Sequence, residues 1–168
     1  MPGYVMHVAI AQEYLRKKRK EYSKDFINGT IAPDITENKA ETHYGKSPAY
    51  TNLKNFLSKN VLDTDFMRGY FLHLIADYLF YNKYLKKIEK PQIYYDYDYT
   101  NWDLINKYNV MLPEQVKDKI YYKKGTPEIL TLELAYKVID EISDLDLEIV
   151  EKEAKEDDCK WSKYKKLI

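Results

Sequence analysis

The stretch DFMRGYFLHLIADYLFYNKYL, residues 65–85, decides the fold. Apolar and aromatic side chains recur at helical spacing along it; they are Phe66, Tyr70, Phe71, Leu74, Ile75, Tyr78 and Leu79. Asp63, Thr64 and Asp65 are suitable residues for a helix start, and an acid in the first turn complements the helix dipole. The stretch therefore predicts a central, mostly buried helix that ends in a basic turn near Lys87.

Two polar residues, His73 and Asp77, interrupt this apolar stretch. Because they lie four residues apart, both side chains project from one face of the helix, one turn apart. A buried carboxylate is costly unless it is paired or bound to a metal. The pair is therefore a candidate metal site, and a structural hydrogen bond between the two side chains is the alternative.

Composition limits the classes of protein to consider. A chain of 168 residues is long enough for one domain with a sizeable core, which we assign to residues 1–168. Its 27 basic and 27 acidic residues balance, so we predict no stable nucleic-acid or membrane partner. A single cysteine, Cys159, excludes a disulfide framework and a cysteine zinc motif. Without a signal-like or membrane-spanning segment, we expect a cytoplasmic protein.

Helix-start and helix-stop signals divide the rest of the chain into further helices. We predict helices at residues 4–20, 47–58, 101–108, 114–122, 126–142 and 144–156. Residues 29–35 and 36–46 are predicted to be loops, because the first contains Gly29 and Pro33 and the second has no apolar stripe. No stretch pairs convincingly as strands, so the predicted fold class is all-α, a single-domain helical bundle with residues 158–168 as a loosely docked tail.

Residues 94–99 alternate tyrosine and aspartate. Alternation is typical of a strand, but no partner strand is evident, so we interpret the segment as a loop at the mouth of a site. It is either a lid or a solvated surface loop. The 18 tyrosines of the chain combine apolar bulk with a polar tip, which is compatible with a homodimer interface or a wet cavity.

The chain has three histidines: His7 on the first predicted helix, His43 in a loop, and His73. Helices of a bundle bring distant positions together around a core site. Imidazoles and carboxylates with one open position form catalytic zinc sites. We therefore expect the three histidines to converge with Asp77, although a lone histidine on an apolar helix face, such as His7, is also a common core residue.

The order of these residues resembles the zinc-dependent phospholipase C and single-strand nuclease family. The resemblance covers residues 4–85 and rests on His7, Gly29-x-x-Ala32-Pro33-Asp34, His43 and Gly69-Tyr70-Phe71-Leu72-His73-x-x-x-Asp77. It implies an all-α fold that hydrolyses phosphodiester or phosphomonoester bonds. It also implies that Asp34, His43, His73 and Asp77 hold one zinc ion, with Asp77 bridging to a second ion held by His7.

The chain departs from the family pattern in having no histidine after His73. A third ion would need carboxylates such as Asp96, Asp98 and Asp103, so one or two zinc ions are expected, with manganese or iron as alternatives. The implied chemistry is attack on phosphorus by metal-activated water. Asp98 is the candidate general base, and Arg68 or a nearby lysine is the candidate phosphate-binding residue. The substrate would be a small phosphoester, a nucleotide or a lipid head group. The aromatic residues that would stack on its base or cover its acyl chain are Tyr94, Tyr95, Tyr97 and Trp102.

Two alternatives remain open. An HD-type phosphohydrolase is also all-α and metal-dependent, but it requires adjacent histidine and aspartate, and here the histidines precede Val8, Tyr44 and Leu74. The other alternative is a non-catalytic binding module that keeps a structural metal, which the missing late histidines favour.

Overall fold

The computed structural model describes residues 3–156, and every regular element in that range is helical. The α-helices are α1 (Tyr4–Lys17), α2 (Lys24–Ile31), α3 (Lys39–Thr42), α4 (Leu53–Lys59), α5 (Asp65–Leu79), α6 (Gln92–Tyr108), α7 (Glu114–Lys117), α8 (Leu132–Ser143) and α9 (Leu147–Glu156). Short 3-10 helices span Ala32–Asp34 and Pro48–Tyr50, and a π-helical turn spans Phe80–Tyr84. The all-α prediction is confirmed, while the predicted tail at 158–168 lies outside the described residues.

Helix α5 lies at the centre of the fold, as its sequence predicts. Ten of its residues are buried, and the Thr64 hydroxyl accepts a hydrogen bond from the Met67 N–H at the helix start. The α-helix ends at Leu79 and continues as the π-helical turn to Tyr84, so the end predicted near Lys87 is wrong. Helix α2 is the main neighbour of α5, and α1 packs against α2, α6 and α8.

Two glycines allow α2 and α5 to touch backbone to backbone. A Cβ atom at Gly29 would overlap the carbonyl oxygen of Phe66, and one at Gly69 would overlap that of Phe26. Gly29 therefore lies inside a helix, and the loop predicted for residues 29–35 is wrong up to Ile31. Gly29 allows a close contact between two helices here, whereas the sequence suggested that it interrupts a helix.

The loop predicted for residues 94–99 is also wrong, because these residues form the first half of α6. The inner face of α6 carries Ile93, Asp96, Tyr97, Thr100, Asn101 and Leu104, which is a helical stripe. Because Asp96 is one position of this stripe, the helical pattern of apolar residues is not evident in the sequence. The Asp96 carboxylate accepts hydrogen bonds from the Glu128, Ile129 and Leu130 N–H groups at 3.0, 2.6 and 2.8 Å.

Because of the same hydrogen bonds, α8 starts later in the chain than the sequence predicts. Residues 128–130 bend around the Asp96 carboxylate, so the helix predicted from residue 126 begins only at Leu132, where the Thr131 hydroxyl caps the Leu134 N–H. The helix predicted for 47–58 divides into the 3-10 turn and α4, and that for 114–122 shortens to α7. Within residues 3–156 no helix has the length and apolar character needed to cross a bilayer.

Candidate metal centre

Four separate parts of the fold bring the five predicted metal ligands together. His7 lies on α1, Asp34 ends a 3-10 helix, His43 follows α3 directly, and His73 and Asp77 lie on α5. Each of the five residues is at most 4% exposed to solvent. They form a buried cluster of three imidazoles and two carboxylates, which we call the His/Asp cluster.

The Asp77 carboxylate lies between the histidines. Its Oδ1 atom is 3.2 Å from His7 Nε2, and its Oδ2 atom is 2.9 Å from His43 Nε2 and 3.5 Å from His73 Nε2. One oxygen thus faces His7 while the other faces the remaining pair. A carboxylate placed in this way can bridge two ions.

The Asp34 carboxylate lies slightly farther from the three imidazoles than the Asp77 carboxylate does. Its Oδ1 atom is 3.8 Å from His43 Nε2, and its Oδ2 atom is 3.9 Å from His7 Nε2 and 4.0 Å from His73 Nε2. Two overlapping groups have the spacing of a metal site: His7, His73 and Asp77, and Asp34, His43 and His73. The cluster can therefore hold a metal ion.

Backbone carbonyls fix the tautomers of two imidazoles. His73 Nδ1 lies 2.7 Å from the Thr30 carbonyl oxygen, and His43 Nδ1 lies 2.8 Å from that of Lys39. A carbonyl only accepts, so each Nδ1 must carry a proton, and each neutral ring turns an Nε2 lone pair inward. The two Nε2 atoms are 3.2 Å apart, a distance at which two lone pairs repel unless a cation or a proton lies between them.

Several polar atoms of the cluster have no hydrogen-bond partner. They are His7 Nδ1 and Nε2, Asp34 Oδ2, and both carboxylate oxygens of Asp77. Buried polar atoms of native proteins are almost always hydrogen-bonded, and leaving one unpaired costs about 1–3 kcal/mol, or more when it is charged. A bound metal ion would satisfy the oxygens and Nε2, so the residues present fit such an ion.

Burial and neighbouring charge set the ionisation of the cluster without metal. Burial lowers the pKa of His7 to about 4, and the His73 ring stacked on it at 3.8 Å between centroids adds to this. Burial alone would lower the pKa of His73, but the Asp77 and Asp34 carboxylates outweigh it and raise the pKa above its usual value. Burial would raise the pKa of Asp77, yet the charge of His73 and the neighbouring His43 and His7 rings hold that pKa well below the usual range.

Three further residues lie around the cluster, and the sequence indicated only Tyr97 among them, as a residue that covers the substrate. Thr30 orients His73 through its carbonyl, and its own hydroxyl reaches the Gly69 carbonyl at 3.3 Å. Lys39 places its ammonium 2.9 Å from Asp34 Oδ1. Tyr97 is buried beside Gly3, and the Asp77 and Asp34 charges contribute, after burial, to a pKa well above its usual value. Backbone and long-range contacts of this kind leave no periodic signal in a sequence.

The other residues predicted for the site lie elsewhere. Asp96 bonds backbone N–H groups, as described above, and Asp98 pairs with Lys123 at 2.9 Å. Arg68 bonds Asp65 on the exposed side of α5 at 3.2 Å. Asp103 lines a surface cleft of about 460 Å³ with Trp102 and Tyr122. The catalytic roles of Asp98 and Arg68 stay predictions, and the structure does not bring either residue into the His/Asp cluster.

The tyrosines proposed to cover a substrate divide between two faces of α6. Tyr94, Tyr95 and Trp102 are exposed, whereas Tyr97 points inward toward the cluster side of the helix. Of these four aromatic residues, Tyr97 is therefore the one that is buried and affected by the charges of the candidate ligands.

Comparisons of the chain with family models, curated proteins and solved structures found no match.

Proposed function

We propose that the chain is a metal-dependent hydrolase of phosphoric esters, acting on a phosphodiester or a phosphomonoester. The observation that carries this proposal is the buried His/Asp cluster, whose inward-facing atoms lack partners that a divalent cation would supply. The resemblance of residues 4–85 to zinc-dependent phospholipases C and single-strand nucleases supports the choice of phosphoesters as substrates.

The ligand set divides naturally between two ions. Asp34, His43, His73 and Asp77 would hold the first ion, and Asp77 with His7 would hold the second. Nitrogen and oxygen ligands of this kind suit zinc, with manganese or iron as alternatives. A bound divalent ion supplies Lewis acidity and lowers the pKa of water toward neutrality.

The protein's own groups prepare the centre for that chemistry. The carbonyls of Thr30 and Lys39 hold His73 and His43 in the tautomer that turns Nε2 inward. Asp77 contributes negative charge at pH 7, because its pKa is well below the usual range. The apolar residues of α5 around it, including Leu74 and Ala76, exclude bulk water and strengthen each electrostatic contact.

One observation favours a second candidate, a non-catalytic module with a structural metal. The five cluster residues are at most 4% exposed, and structural sites are closed whereas catalytic sites keep an open position. Turnover separates the two candidates, since both bind metal.

The test is hydrolysis of bis(p-nitrophenyl) phosphate and p-nitrophenyl phosphate by protein stripped with chelator and then reloaded with Zn²⁺ or Mn²⁺. We expect turnover that disappears on stripping, returns on reloading, and is lost in Asp77→Asn, which changes little in shape. Asp98→Asn, assayed in parallel, tests the predicted general base. Metal-loaded, folded protein that hydrolyses neither ester would support the structural-metal module and contradict the hydrolase.

A further inference from the structure

A surface cleft of about 460 Å³ lies between the exposed side of α6 and the segment that follows α7. We call it the α6 cleft, and its lining residues are Tyr99, Trp102, Asp103, Tyr122, Lys123, Lys124 and Gly125. Clefts of this volume are typical of sites for small molecules. None of the lining residues belongs to the His/Asp cluster, so the α6 cleft is a separate feature of the molecule.

Two aromatic rings of the α6 cleft meet at a right angle. The Trp102 and Tyr122 ring centroids are 6.0 Å apart and the ring planes make an angle of 87°. Both side chains are at least half exposed to solvent. A flat nucleobase stacks best between parallel rings, whereas a corner made by perpendicular rings suits a compact, roughly spherical group. The arrangement therefore favours a rounded ligand over a planar one.

The wall opposite α6 is held in place before any ligand binds. In residues 121–125, the Lys123 N–H donates to the Asp98 carbonyl oxygen at 3.1 Å, and the Lys123 ammonium pairs with the Asp98 carboxylate at 2.9 Å. Gly125 packs so closely on Tyr99 that a Cβ atom there would overlap the ring. A cleft with fixed walls loses little conformational entropy when it binds a ligand.

The charges around the α6 cleft nearly balance. Lys123 is neutralised by its ion pair, and Asp103 offsets Lys124. Net charge therefore favours neither an anion nor a bare metal ion. Aromatic faces still attract cations, and this surface already holds one, because Lys123 Nζ lies 5.8 Å from the ring centroids of both Tyr95 and Tyr121.

We propose that the α6 cleft binds a small quaternary ammonium compound, whose methyl groups contact the Trp102 and Tyr122 rings. A quaternary ammonium has no N–H group, so it needs no hydrogen-bond acceptor and enters an aromatic cleft more readily than a lysine-type ammonium. Asp103, the acid among the lining residues, adds to the attraction. The inference goes beyond the proposed function and does not depend on metal in the His/Asp cluster.

The test is titration of chelator-stripped protein with tetramethylammonium chloride, followed by ligand-observed NMR, with tert-butyl alcohol as a neutral compound of similar size and shape. Wild type should bind the cation about tenfold more tightly than the alcohol, because only the cation is attracted electrostatically to the rings. In Trp161→Phe protein, Trp102 is the one remaining tryptophan, so its fluorescence reports whether the cation enters the α6 cleft.

Substitutions locate the binding energy. Trp102→Ala should weaken tetramethylammonium binding about tenfold, while Trp102→Phe keeps a ring and should lose less. Tyr22→Ala is the matched control, because Tyr22 is also about half exposed but lies outside the α6 cleft, and it should leave the affinity unchanged.

Three results would overturn the inference: no saturable binding of tetramethylammonium by wild type, equal affinity for the cation and the alcohol, or an unchanged affinity in Trp102→Ala. Because the protein is free of metal throughout, none of these results bears on the hydrolase. Loss of ester turnover in the reloaded protein would likewise leave the ammonium site untouched.

Discussion

At the residue scale, two fully buried aspartates show how different the functions of a carboxylate can be. Asp96 accepts four hydrogen bonds, three from backbone N–H groups and one from Gln92 Nε2 at 2.8 Å. Neither oxygen of Asp77 has a hydrogen-bond partner, although three histidines surround it. Asp96 therefore stabilises the fold, while Asp77 is available to a cation.

The pair gives a matched substitution test. Asp96→Asn removes one acceptor oxygen and leaves buried N–H groups unpaired, so it should lower the free energy of unfolding by about 3–5 kcal/mol. Asp77→Asn should cost less without metal, and it should abolish the stabilisation that added Zn²⁺ gives wild type. Urea denaturation with and without Zn²⁺ measures both effects. The reverse order, with Asp77→Asn the more damaging in metal-free protein, would contradict this assignment.

At the element scale, the contact between α2 and α5 positions the cluster. Their backbones meet at Gly29 and Gly69, and this brings the Thr30 carbonyl to His73 Nδ1. On helix propensity alone, alanine in place of a helical glycine should stabilise by roughly 0.5–1 kcal/mol. The close contact between the two helix backbones predicts instead that alanine at Gly29 destabilises the protein.

We therefore expect Gly29→Ala to destabilise the protein by about 1–3 kcal/mol, the usual cost of overpacking, and to weaken zinc binding by moving Thr30 away from His73. Gly3→Ala is the control, because a Cβ atom there would lie at an ordinary 3.5 Å from Tyr97. Because Gly3 is the N-cap of α1 and alanine is a poorer cap than glycine, the control should cost no more than about 1 kcal/mol. Chemical denaturation measures both variants; a stabilised Gly29→Ala protein would show that the helices do not meet as described.

How much the sequence predicts depends on where each element finds its partners. The cap at Thr64 and the apolar stripe of α5 are local signals, so its start and burial could be predicted. Residues 94–99 and 126–131 could not, because one long-range contact, from Asp96 to the Glu128, Ile129 and Leu130 N–H groups, controls both segments. The histidines and aspartates of the cluster were identified by residue type and order, whereas Lys39 and Thr30 contribute through contacts that have no sequence pattern.

At the scale of the whole molecule, metal binding and proton binding compete for His73. Its raised pKa means that the ring holds a proton over a pH range in which a free imidazole is neutral. A ligand must be neutral, so zinc binding should release that proton and zinc affinity should rise with pH up to the raised pKa. His7, whose pKa is about 4 because of burial, is already neutral at pH 7 and should release none.

Calorimetry of zinc binding in two buffers of different ionisation enthalpy measures this proton release. The apparent binding enthalpy should depend on the buffer below the raised pKa of His73, and the dependence should disappear above it. His7→Ala should not alter the number of protons released at pH 7. An enthalpy independent of buffer throughout would show that His73 is not protonated in the metal-free protein.

Metal content and metal-dependent melting of the purified wild-type protein test most directly whether the His/Asp cluster is a metal centre. We expect one or two bound ions per chain by elemental analysis. Zn²⁺ at about 100 times its dissociation constant should stabilise the chelator-stripped protein by about 2.7 kcal/mol, which raises the melting temperature by roughly 5–10 °C. Asp77→Asn should show neither the ions nor the shift. Metal-free wild type whose melting temperature does not respond to Zn²⁺, Mn²⁺ or Fe²⁺ would contradict the metal centre and the hydrolase proposed on it.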